Sequence, residues 1–263
     1  MRRLVVGGLA VISAAVLGLV LVLVARNHSS EASLPMFIFA GQSNMVGFGA
    51  HLEETSPALP TDDSRVLYWD ESLRAWSARL PSAGSARTFG PDVTALRRLA
   101  DRLHEHVLAV KFAVNGSGLA YDWDPSRPDG LYARLRAAVA DAIVAPVGRR
   151  WPKVNGFFWM QGERDGETPE ASAAYETNLR NLITRVRADF GDDKLPVVLG
   201  RVRLSEPFAT TVRAAQDAAA HRMAKVKTLN TDRLVLAADG VHYDTGAIET
   251  LGRQMADAYL TLS

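Results

Sequence analysis

From Pro35 onward, short apolar runs alternate with longer amphipathic stretches. The runs Met36–Ala40, Val107–Val114, Val154–Met160, Pro196–Gly200 and Leu234–Ala238 have the length and continuity of strands buried on both faces. Between them, apolar positions recur every three to four residues over Leu131–Val144, Glu170–Phe190, Thr210–Val226 and Thr245–Leu262, which predicts helices. A further helix starts at Pro91, with Asp92 favourable in its first turn, and runs to His104. Strands alternating with helices predict an α/β fold: a mostly parallel five-stranded sheet, right-handed crossovers, and helices on both faces. Leu52–Thr88 departs from this rhythm. It is rich in Pro, Ser and Asp and reads as an irregular excursion near the outgoing end of the first strand.

The same pattern sets the N-terminus apart. Arg2 and Arg3 precede an apolar and small-residue run, Leu4–Ala25, with no polar face and about 22 residues long, enough to cross a bilayer as a helix. Arginines on the N-terminal side keep that end in the cytoplasm and send the rest outward. The expectation is one N-terminal transmembrane helix acting as a signal anchor over 1–26, a linker over 27–34 and a globular domain over 35–263. Ser30-Glu31-Ala32 offers a small-residue cleavage site as the alternative, which would release the domain as a secreted protein.

Composition narrows the chemistry. Lys and Arg total 30 against 29 Asp and Glu, with no basic stripe, which argues against a nucleic-acid partner. Cysteine is absent, which removes disulfides, thiolate nucleophiles and zinc-thiolate sites. His104 and His106 lie two apart on a predicted helix and point to different faces, no HExxH occurs, and Asp122, Asp124 and Asp129 lack calcium-loop spacing, so no metal site is expected. Gly47-Phe48-Gly49 lacks the third glycine of a dinucleotide fingerprint, no Gly-Lys-Ser/Thr loop exists, and there is no G-x-S-x-G elbow.

Four of the predicted strands end in glycine-containing polar segments: Gly41-Gln42-Ser43-Asn44, Asn115-Gly116-Ser117-Gly118, Gln161-Gly162-Glu163-Arg164-Asp165 and Asp239-Gly240-Val241-His242-Tyr243. In an open parallel sheet ligands bind beyond the carboxyl ends of the strands, so neighbouring strands would gather all four at one edge. Together they contain the parts of an acyl-transfer site. Ser43 is a candidate nucleophile, His242 its base, and Asp239, on the histidine's own loop, the carboxylate that fixes the ring. The N–H groups of Ser43 and Gly116 and the side-chain amide of Gln161 are candidate oxyanion donors. Glu163 is a rival acid or a site-shaping residue. Gln42 and Asn44 suit bracing of the nucleophile turn, and Asn115 suits bracing or substrate contact. Trp159 reads as core, whereas Tyr121, Trp123 and Tyr243 suit either sugar stacking or packing.

GQSNM, FGPD, WMQGERD and DGVHYD, in that order from Pro35 to the C-terminus, resemble the SGNH-hydrolase superfamily. More narrowly they are similar to carbohydrate esterases grouped with sialate O-acetylesterases and acetylxylan esterases. The resemblance implies a flavodoxin-like three-layer α/β/α fold and removal of acetyl groups from carbohydrate without a cofactor. It places the triad on Ser43, Asp239 and His242, and the oxyanion donors on Ser43, Gly116 and Gln161. Two positions depart from the family pattern: Asn115-Gly116-Ser117-Gly118 replaces Gly-Gly-Thr-Ser, and FGPD replaces FGPE, one methylene shorter at Asp92. The competing readings are a lipid or thioester hydrolase on the same scaffold and a catalytically silent carbohydrate-binding module; the intact Ser43, Asp239 and His242 argue against the last. The implied partners are an acetylated carbohydrate and, through the N-terminal helix, a membrane.

Overall fold

The computed structural model describes residues 33–60, 62–78, 80, 87–203 and 206–263. The expected anchor over 1–26 lies outside the described residues, among which no helix is long and apolar enough to cross a membrane.

The sheet comprises β1 (Ser33–Gly41), β2 (Val66–Asp70), β3 (Ala75–Ser77), β4 (Val107–Ala113), β5 (Trp151–Met160), β6 (Val197–Gly200) and β7 (Val226–Leu229). Its spatial order is β3-β2-β4-β1-β5-β6-β7. Every pairing is parallel except that of β2 with β3. Taken alone, β4-β1-β5-β6-β7 have the 2-1-3-4-5 order of flavodoxin-like folds, with the β2–β3 hairpin added at one edge. Along β1 successive side chains alternate between faces. Phe37 and Phe39 join the core beneath α2 (Asp92–Leu103) and α6 (Thr245–Leu260). Met36, Ile38 and Ala40 join the core beneath α3 (Leu131–Ile143), α4 (Pro169–Phe190) and α5 (Ala209–Arg222). All five side chains are fully buried, as a central strand sandwiched between helix layers requires.

The structure corrects the expected elements in three places. β1 starts at Ser33, inside the stretch read as linker. The segment Leu52–Thr88 contains the β2–β3 hairpin, pinned by the edge-on contact of Trp69 with Trp76 at 5.3 Å. These strands are short and set among turn residues, so no long periodic signal marks them. The fifth parallel strand is β7, not Leu234–Ala238. Helix α5 ends at Arg222, and Lys225 turns the chain at φ 54° into an edge strand of which only Val226 is buried. In Leu234–Ala238, Val235 is 61% exposed and the one ladder contact is the antiparallel bridge of Leu236 to Tyr243. Of that run only Leu234 is buried.

Trp159 is core as expected. Trp123 is equally buried and packs edge-on against it at 5.0 Å, and Tyr243 is fully buried, so neither Trp123 nor Tyr243 is a sugar platform.

Candidate active site

β1 lies at the point where the chain's crossovers change direction, with β4 on one side and β5 on the other. Its last residue, Gly41, is in register with both Ala113 of β4 and Met160 of β5. The loops carrying Ser43, Gly116 and Gln161 therefore leave the sheet at one level, the crevice where open α/β sheets bind ligands. Gly41 has φ 149°, and a Cβ there would lie 2.0 Å from the Met160 carbonyl, so only glycine lets the chain leave so close to its neighbour. The Gln42 N–H then donates to Met160 O at 3.0 Å, and a single helical turn follows, α1 (Ser43–Val46). Gly47, at φ 89°, closes that turn by donating to Ser43 O at 2.8 Å.

Ser43 stands at the first position of α1, 6% exposed. Its N–H is an unpaired donor of a helix start, and among the described residues neither it nor its Oγ has a hydrogen-bond partner. The N–H of Gly116, whose φ is 66°, is likewise unpaired among the described residues and sits on an exposed tip.

Asp239 and His242 come together on one tight loop. His242 Nδ1 lies 2.6 Å from Asp239 Oδ2, while the backbone N–H groups of Val241 and His242 both donate to Asp239 Oδ1 at 2.9 Å. Gly240, at φ 70°, permits the fold-back. These bonds, the one to the histidine ring foremost, hold the Asp239 carboxyl down at about 2. A depressed carboxylate stabilises the fold above its ordinary value of 3.8, and that contribution is lost as pH falls toward about 2. Acid inactivation above pH 3.8 therefore belongs to another group. Asp239→Asn is expected to lower kcat by about 10³–10⁴, measured as acetate release at neutral pH.

This loop docks on the nucleophile turn. Asn44 Oδ1 accepts the Tyr243 N–H at 3.0 Å, so the residues following Ser43 and His242 are bonded to each other. The Phe48 ring lies 4.7 Å from the His242 ring, tilted by 43°. Among the described residues, no hydrogen bond joins Ser43 Oγ to His242; such bonds commonly tighten only with substrate present. At Gly49 a Cβ would meet Tyr243 O at 2.6 Å and His242 Cβ at 2.9 Å. Gly49→Ala must push the histidine loop away, and kcat is expected to fall by at least about tenfold with a smaller change in KM.

The amides and acids around the turn act as braces. Gln161 is fully buried, and its amide nitrogen donates to Asp165 Oδ2 at 2.6 Å and Ser117 O at 2.9 Å, with Gln42 Oε1 at 3.3 Å. An amide has two hydrogens. In this structure both are engaged, and Gln161 ties the Ser43, Gly116 and Glu163 loops together. Asn44 Nδ2 donates to Glu163 Oε1 at 2.8 Å. Burial raises the Glu163 carboxyl above its ordinary range, opposed by the Asn44 bond and the His242 charge, and its Oε2 is buried without a hydrogen-bond partner. Asn115 is exposed beside Gly116, on the wall of a cavity of about 1200 Å³.

Three positioning residues escaped the sequence reading. Asp165, buried, accepts the N–H groups of Leu119 at 2.7 Å and Ala120 at 2.8 Å as well as the Gln161 amide, fixing the loop that carries Gly116. Its place in WMQGERD, four residues after Gln161, was the available signal. Lys111 reaches Val46 O at 3.3 Å and pairs with the buried Asp92 of FGPD at 2.7 Å. Gly49 carries no signal in the sequence, because its neighbour comes from the far end of the chain.

A family model described as carbohydrate esterase, sialic acid-specific acetylesterase, matches residues 33–261. The chain belongs to this family. Membership makes it a carboxylic ester hydrolase of the carbohydrate esterase kind, acting on acetylated carbohydrate. A probable carbohydrate esterase of Arabidopsis thaliana is 24% identical over 243 residues, 86% of this chain and 90% of the relative. A solved Arabidopsis thaliana structure superposes with a TM-score of 0.74 at 23% identity, covering 87% of this chain and 98% of that one. A carbohydrate acetylesterase from Xanthomonas citri does so with 0.61 at 18% identity, covering 86% of this chain and 56% of that one. These superpositions establish that the fold is shared.

Proposed function

We propose that this esterase removes O-acetyl groups from carbohydrate through a Ser43-His242-Asp239 triad. Ser43 Oγ attacks the ester carbonyl while His242 takes its proton and Asp239 holds the ring in the required tautomer. The unpaired N–H groups of Ser43 and Gly116 receive the oxyanion. His242 then protonates the leaving sugar oxygen, and water activated by the same ring releases acetate. The observation that carries the reading is the Asn44–Tyr243 bond, which locks the nucleophile turn against a loop whose Asp239–His242 contact is already made. The apolar run Leu4–Ala25 supports placing the domain outside the cytoplasm, held to the membrane or secreted if that run is cleaved.

The test is an acetate-release panel of acetylated xylan oligomers, O-acetylated sialic acid and an aryl acetate, paired with a fluorophosphonate probe. Acetate release, with the probe's adduct mapped to Ser43, is the expected result. Turnover with no adduct on Ser43 overturns the triad. A lipid or thioester hydrolase calls for a continuous apolar groove beside Ser43; in the neighbouring cavity Val46, Phe48, Val114 and Leu236 are interrupted by Asn115, Glu54, Asp239 and Asp244.

A further inference from the structure

Phe48 is 52% exposed, although the backbone around it is tightly set. At Gly47 a Cβ would lie 1.8 Å from Phe89 O, and Gly49 is packed beneath the His242 loop, so the tip carrying Phe48 has little freedom to turn inward. One side of the ring meets His242 at 4.7 Å, and the remainder faces solvent. The ring stands beside the proton-transfer pair, where a ligand held for reaction would cover it. The negative face of its π-system suits the weakly positive C–H face of a sugar ring.

Phe48 also forms part of the wall of the 1200 Å³ cavity, which exceeds the usual size of a small-ligand pocket. Apolar side chains such as Val46, Val114 and Leu236 share that wall. The carboxylates Glu54, Asp239 and Asp244 line it beside His51, and no Lys or Arg does among the described residues. Glu54 Oε2 accepts from the Thr245 hydroxyl and Asp244 Oδ1 from the Ala247 N–H, both neutral donors that leave the carboxylate charges uncancelled. An anionic sugar placed here would meet like charges in a partly enclosed space, where they are screened less than on open surface. Arg164 lies instead over Gly118, outside this wall, and is paired with Glu167.

We infer that Phe48 and this cavity form the leaving-group subsite, and that it selects an uncharged acetylated sugar over an anionic one of the sialate type. The inference rests on the esterase reading above.

The experiment has a turnover arm and a binding arm, both on the full-length chain in detergent. In the first, acetate release is compared for an O-acetylated sialic acid and its methyl ester. The ester is expected to have the higher kcat/KM by at least about tenfold at low salt, with the gap narrowing as salt is raised and in Glu54→Gln. A free acid turned over as well as its ester overturns the charge selection. In the second, an acetylated xylo-oligosaccharide is titrated calorimetrically into the Ser43→Ala chain. Adding Phe48→Leu is expected to weaken binding at least about fivefold, while Phe48→Tyr, which keeps the aromatic face, restores it. Unchanged affinity in Phe48→Leu with a native melting transition overturns the platform. The binding arm needs no turnover. Absence of Ser43-dependent acetate release from every substrate therefore marks failure of the esterase reading, while the titration still decides the subsite.

Discussion

Ser43→Ala is expected to lower kcat for acetate release by on the order of 10⁴–10⁶, the range seen when a triad serine is removed from other hydrolases. Stability should change by less than about 1 kcal/mol, because the hydroxyl has no hydrogen-bond partner among the described residues and its loss orphans nothing. The combination separates chemistry from folding. Ser43 stands at the first position of α1 on a turn held by backbone bonds from Gln42 and Gly47, and neither uses the side chain. Acetate release and a thermal melt on the same preparation check both halves. An inactive variant that also melts early would make Ser43 a structural residue, and an active one would end the triad proposal.

The second large effect is on stability. Lys111→Met is expected to destabilise the fold by about 3–5 kcal/mol, because it strands a carboxylate with no exposure. Asp92 is completely buried, paired with Lys111 at 2.7 Å and accepting the Tyr68 hydroxyl at 3.0 Å. For a chain of this size the melting temperature should drop by about 6–20 °C. Lys111→Met combined with Asp92→Asn should recover much of that loss, since no unpaired charge remains and an amide can still accept from Tyr68. Equal melting temperatures for the single and double variants would show that the ion pair is not the cause. The pair also explains the FGPD motif. Asp92 reaches Lys111 from the start of α2, and Lys111 reaches the last carbonyl of α1, so the motif supports the nucleophile turn from beneath.

Much of this arrangement could be read from the chain. Helices α2 to α6 were marked by apolar spacing and by Pro91, and β1, β4, β5 and β6 by apolar runs that only a sheet covered on both faces tolerates. Asp239 and His242 were legible as a pair because they are three residues apart and Gly240 frees the turn between them. The hairpin β2–β3 and the edge strand β7 were not, since short, half-exposed strands owe their existence to the neighbour they pair with.

Local pattern was sufficient where the determining contacts are near in sequence: helix periodicity and the Asp239–His242 loop. The tertiary structure alone decided everything that depends on residues distant along the chain. It gave the Gln161 amide the Asp165 carboxylate and the Ser117 carbonyl as partners. It set Asn44 against Tyr243 across 199 residues, and it left no room for a side chain at Gly49. Backbone preference acts over a few residues, whereas the free energy that orients a polar side chain comes from whichever partners packing delivers.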